Sequence, residues 1–221
     1  MQTGEIIQRI QSLYSKGAQS QSTRLMRRHI YSKMTSIRAL LFYNKINKRQ
    51  KLSLWNYTTL PCVELEVVSE NDCPCDPIPG CDILKTKYTL PKPINSISGY
   101  IIDSVMSVNG RIIFDEVSYK SKIWRKGDKY TSKKSDWFIK DDYLYITSTR
   151  KLKSITIVGL FADPVEAINY STNCTEEEVG CPTSPIDMDF PIDEELVDAL
   201  VELTVQELTV GFKPGHEDRR N

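Results

Sequence analysis

The period of the apolar residues changes twice along this chain, and that change sets what it can fold into. From Glu5 the positions Ile6, Ile7, Ile10, Leu13 and Tyr14 recur at helical spacing, and a second stripe, Met26, Ile30, Met34, Ile37, Leu41, runs at steps of three and four. From Leu60 to Phe161 the period becomes two, and β-branched and aromatic residues dominate. Helical spacing returns with Leu196, Leu200, Leu203 and Leu208. Helical ends around a β middle predict an α+β fold. Its parts are basic amino-terminal helices, an antiparallel β domain of about seven strands, sandwich or barrel, and an acidic carboxy-terminal amphipathic helix. The boundaries fall at 1–56 for the basic helical region, 57–168 for the β domain, and 169–221 for a linker, the acidic helix and a tail.

Local signals refine this layout. Gly17 stands where the first helix should stop, and Thr23 can cap a second helix running from Arg24 to about Arg49. Such a helix is on the order of 39 Å long, too long for a core of this size to bury throughout. Candidate strands are 62–68, 83–90, 99–108, 111–118, 137–140, 143–147 and 154–161. Asn109-Gly110 favours a two-residue type I′ hairpin, and Asp141-Asp142 marks another. Asp163-Pro164 ends the β domain, and Asn169 to Pro185 reads as a loop or linker. Pro191, the carboxylates Asp193 to Glu195, Gly211 and Pro214 delimit the last helix.

Charge follows the same division. Residues 1–56 hold eleven Lys and Arg against Glu5 alone, whereas residues 163–221 hold three against fifteen Asp and Glu, and the whole chain is neutral. A basic arm on nucleic acid with an acidic tail fits this polarity, as does one copy's basic end meeting another copy's acidic end, as do two unrelated solvated faces. The longest apolar stretch, Ile155 to Ala162, falls far short of the ~20 residues of a membrane helix, so no membrane is expected. Glu5, Gln8 and Arg9 interrupt the run a signal peptide would need, which points to an intracellular product.

Chemistry-bearing motifs are few. The two histidines, His29 and His216, lie in the basic helix and the tail, with no positioned Ser or Cys partner in view. No Gly precedes a Lys, which removes the usual P-loop, and no G-x-G-x-x-G occurs. Cys73, Cys75 and Cys81 cluster, with Cys62, Cys174 and Cys181 elsewhere, but C-x-C is shorter than the C-x₂₋₄-C of zinc sites. Incidental thiols in a Pro/Gly-rich connection are the preferred reading, with a three-thiolate site completed by a distant cysteine left open. Asp141-Asp142, Asp187, Asp189 and Asp193 to Glu195 are explained by turns and by the helix dipole. No catalytic residue, cofactor or metal ligand is assigned. The basic helix, with Lys126, Lys133, Trp124 and Tyr130 in the polar stretch 120–134, could contact phosphates and stack on bases.

The order of these parts, with a last strand reading SITIVGLFADPVEA (154–167) and a closing FPIDEELVDALVELTVQEL (190–208), resembles the neck or tail ring proteins of tailed bacteriophages. It is most similar to the head-to-tail connector proteins of crAss-like phages. The resemblance implies a virion structural protein rather than an enzyme, assembled in the bacterial host cytoplasm. It further implies a ring of twelve copies in the neck or tail, joining the portal protein to other ring proteins and surrounding viral DNA without reading its sequence. A heterologous ring needs two different complementary patches on each copy. Candidate interface residues are Met26, Ile30, Ile37, Leu41, Leu196, Leu200 and Leu203; candidate DNA-channel or partner contacts are Arg27, Arg28, Lys126 and Lys133. The alternatives are a basic-patch nucleic-acid-binding module and a cryptic hydrolase.

Overall fold

The two periodicities build two separate cores in the computed structural model, which describes residues 1–15, 26–68, 83–97, 99–118, 135–147, 152–172 and 186–211. Its helices are α1 (Thr3–Tyr14), α2 (Arg27–Asn47), α3 (Pro164–Thr172) and α4 (Glu194–Gly211). The strands are β1 (Thr58–Val67), β2 (Ile83–Thr86), β3 (Asn95–Ser96), β4 (Gly99–Tyr100), β5 (Ile102–Ser107), β6 (Ile113–Glu116), β7 (Asp136–Lys140), β8 (Tyr143–Thr147) and β9 (Ser154–Gly159). Residues 1–56 with 183–221 form one compact unit, and residues 57–182 form the other.

In the helical unit the apolar stripes of α1, α2 and α4 face one another. Ile6, Ile10, Ile30, Met34, Leu200 and Val201 are among the side chains that meet there. Each such side chain contributes about 1.5–3 kcal/mol on leaving water. The chain start is stitched to the segment before α4. Thr3 N–H donates to Met188 O and Gly4 N–H to Ile186 O, both at 2.9 Å, and Phe190 N–H donates to Met1 O at 3.0 Å. This approach needs Gly4, because a Cβ there would lie 2.9 Å from Ile186 Cγ2 and 3.1 Å from Ile186 O.

Helix α2 has 21 residues and spans about 32 Å, starting from an N-cap at Met26. Arg24 and Thr23 lie outside the described residues, as does Gly17. The helix ends at Asn47 because Arg49 turns to φ 58°, so that Arg49 N–H reaches Ile46 O and Gln50 N–H reaches Lys45 O. This is a Schellman motif with arginine where glycine is usual.

The β unit is a closed seven-stranded barrel in the order β1-β2-β8-β7-β6-β5-β9, with β9 pairing back to β1. Closure leaves no exposed edge strand in that ring and decides between sandwich and barrel. All pairs are antiparallel except β6 and β7, which run parallel through Asp115↔Asp136 and Glu116↔Trp137. The expectation of a wholly antiparallel sheet is corrected there: the 19 residues between these strands are enough for a crossover, which a hairpin cannot provide. Val63, Val105, Phe114, Leu144, Ile146 and Ile157 fill the interior. Register shifts between Leu60 and Val63 and between Ile102 and Ser104 supply the local bends that a closed sheet needs.

Of the two turns read from sequence, one forms as expected and the other departs. Asp141 and Asp142 both adopt positive φ, 51° and 62°, between the paired Lys140 and Tyr143, the pattern of a two-residue type I′ hairpin. At Asn109-Gly110 only the glycine has positive φ, 67°. Asn109 Oδ1 instead accepts the Arg111 N–H at 3.2 Å and the Ser107 hydroxyl at 2.7 Å, and Ser107 N–H bonds Ile112 O across a longer loop. The Asn side chain thus stabilises an Asx-type turn in place of the expected tight hairpin. The segment after Asp163-Pro164 is also corrected: residues 164–172 are helix α3, so the linker expected from Asn169 begins as helix. Asp163 Oδ1 accepts the N–H groups of Val165 and Glu166, and Pro164 occupies the first helical position. Ala167 and Tyr170 of α3 pack on the barrel core.

Candidate interaction surfaces

The opposite charges at the two ends of the chain meet within the helical unit. Arg9 lies 2.7 Å from Asp198, Lys33 lies 3.1 Å from Glu207, and Lys45 bridges Asp193 at 3.6 Å and Glu195. The hydrogen bond to Glu195 holds the Lys45 ammonium above the usual lysine pKa, with the charge of Asp193 adding to it. Part of the polarity in the sequence is therefore neutralised inside one copy, between α2 or α1 and α4.

Arg38 is the centre of this unit. It is fully buried in the middle of α2, donating from Nε to Pro191 O at 2.8 Å and from Nη2 to Asn56 O at 3.3 Å. Its guanidinium lies 4.5 Å from the centroid of the Phe42 ring and 5.7 Å from that of Phe190. A desolvated cation–π contact of this kind is worth about 2 kcal/mol. The bond to Asn56 fixes the single 3₁₀ turn Leu54–Asn56, which buried Asn56 ties down further through Ser53. Leu54 and Trp55, in that same turn, are 82% and 86% exposed.

Of the residues singled out from sequence, Ile30, Ile37 and Leu200 are buried in the chain's own helical core, and Leu41 and Leu203 pack on it half-buried. Leu196 is also half-buried, whereas Met26 is 75% exposed at the N-cap of α2. The helical stripe thus serves folding of the protomer first, because three helices share one apolar centre. Arg27 and Arg28 are exposed in the first turn of α2, which contains no acidic residue. Lys126 and Lys133 lie outside the described residues, as do Trp124, Tyr130, His216 and every cysteine but Cys62. Sequence reasoning passed over Leu54 and Trp55. Their signal is an apolar pair separated by two residues from the basic run Lys48 to Lys51, past the end of the helical periodicity.

A second surface lies between α1 and α4. Arg9, Leu13, Asp198, Val201, Glu202, Val205 and Gln206 line an open groove of about 400 Å³, its polar side made of the Arg9–Asp198 ion pair, Glu202 and Gln206. In the β unit, Ile97 at the tip of the β3–β4 ribbon and Ile113 on β6 are exposed. Partial desolvation raises the carboxyl pKa of Glu116 and of Glu166, the latter with repulsion from Asp163, and desolvation with the charge of Asp103 raises the pKa of the half-buried Tyr57 phenol. Among the described residues no three His, Cys, Asp or Glu are grouped to hold a metal ion. No described helix is long and apolar enough to cross a membrane.

Comparison with known protein families places the chain among phage tail ring proteins, structural components of the virion. The match is to the family described as phage tail ring protein 2, over residues 5–221, and the chain belongs to this crAss-like phage family. A ring implies several copies and neighbours in the tail. No curated protein matches the chain.

Proposed function

We propose that the chain forms a ring of twelve copies in the phage neck or tail, joins the portal to other ring proteins, and surrounds the channel through which the genome passes. The family match spanning both compact units carries this reading. The geometry supports it in two ways. A closed barrel has no ladder edge to lend to a neighbour, so it suits a rigid body held in place by side chains. Arg27 and Arg28 place cations at the positive end of the α2 dipole, an arrangement unfavourable by itself and relieved by a polyanion or an acidic partner. Such contacts would grip phosphate without reading bases.

Co-expression with the portal and neighbouring tail proteins, followed by electron microscopy and light scattering, tests the reading. The expected product is a closed ring of twelve times the chain mass. A protein that stays monomeric with all neck components present would refute it. A steep salt dependence of DNA binding by that monomer would favour the nucleic-acid-binding alternative.

A further inference from the structure

We propose, building on the ring reading, that Leu54 and Trp55 of one copy dock into the groove between α1 and α4 of the next copy. Three observations converge. The turn carrying the pair is anchored from below by the fully buried Arg38 and Asn56, yet both large apolar side chains point into solvent. This is the rigid presentation expected of an interface anchor, since Trp dominates interface energetics when it enters a pocket. The groove is open, with exposed Leu13 and half-buried Val205 over buried Val201, and about 400 Å³ leaves room for an indole. The charges are complementary: exposed Lys48, Arg49 and Lys51 flank the pair, while Asp198 and Glu202 rim the groove. Asp198 already holds Arg9, which leaves Glu202 as the main partner for the incoming cations.

The two patches do not meet in one chain, because Trp55 is 86% exposed and is absent from the groove lining. Two different patches that fit each other are what a head-to-tail ring requires. The occupant is therefore a second copy of this chain.

The test places a photo-crosslinking phenylalanine analogue at position 55 of the full-length protein and assembles a mixture of ¹⁵N-labelled and unlabelled chains with the neck proteins. Mass spectrometry is expected to find mixed-isotope crosslinks from position 55 to the peptides containing Leu13 or residues 198–206. In parallel, Trp55→Ala is expected to raise the subunit dissociation constant at least about 30-fold, as for an interface hot spot, with an unchanged melting temperature. Glu202→Lys should weaken assembly, and Lys51→Glu should restore part of it. Rings of wild-type stability from Trp55→Ala, or crosslinks only within one chain or only to other proteins, overturn the docking and leave the ring reading intact. Failure of the wild-type chain to form rings overturns both.

Discussion

Replacing Arg38 by methionine tests what holds the helical unit together. The substitution keeps an unbranched side chain of similar reach but removes the donors to Pro191 O and Asn56 O. The buried Asn56 carbonyl left without its donor costs about 1–3 kcal/mol, the half-buried Pro191 carbonyl less, and the lost stacking on Phe42 adds up to about 2 kcal/mol. Against this, methionine does not carry the several kcal/mol of desolvation that a buried guanidinium carries. What remains unpaired is a set of dipoles, not a buried charge, so the net loss should fall below the ~3–5 kcal/mol of a broken buried ion pair. We expect about 2–3 kcal/mol. Native-state hydrogen exchange reads this unit by unit: amides of α2 and α4 should exchange about 30- to 150-fold faster, since about 1.4 kcal/mol is tenfold. Barrel amides of β8 and β9 should keep their protection. Wild-type protection in α2 within about threefold would refute the assignment of Arg38 as the organising contact, and would also remove the reason to call the Leu54–Asn56 turn rigid.

Three further outcomes follow from local geometry. Gly4→Val should destabilise the helical unit by about 1–3 kcal/mol through overpacking against Ile186, read as a lower urea midpoint with unchanged slope. Arg49→Gly should stabilise the same unit by about 1 kcal/mol, because glycine takes the positive φ of the helix stop without steric cost. Glu116 is exposed on β6 but its carboxyl is partly desolvated, which raises the folded-state pKa, so the folded protein binds slightly more protons than the unfolded one as pH rises through and above the ordinary carboxylate range. Stability from this group is therefore lost with rising pH, and Glu116→Gln should raise the barrel's melting temperature at pH 7 more than at pH 4. An equal change at both values would contradict the partial desolvation of this carboxyl.

Much of the fold was legible in the sequence because periodicity reports which face of an element is buried. The alternation in Tyr143–Thr147 and Ser154–Gly159 marked strands that are buried at every second residue. Asp141-Asp142 was readable as a hairpin since local chemistry alone decides a two-residue turn. Helix α3 was missed because Asp-Pro serves equally as a strand stop and as an N-cap followed by the first helical residue. The candidate site was less legible. Ile30, Ile37 and Leu200 were read as subunit contacts, but a stripe of apolar residues carries no label for the partner that covers it.

Residue order by itself determined most of the elements, their approximate limits and the charge at each end, because these depend on interactions between residues a few positions apart. The tertiary structure decided the rest. It closed the sheet into a barrel with one parallel pair, paired Arg9, Lys33 and Lys45 with carboxylates of the distant α4 helix, and buried Arg38. It also turned Leu54 and Trp55 outward. Those outcomes depend on which surfaces, more than a hundred residues apart in several cases, exclude water together, and local spacing carries no information about that choice.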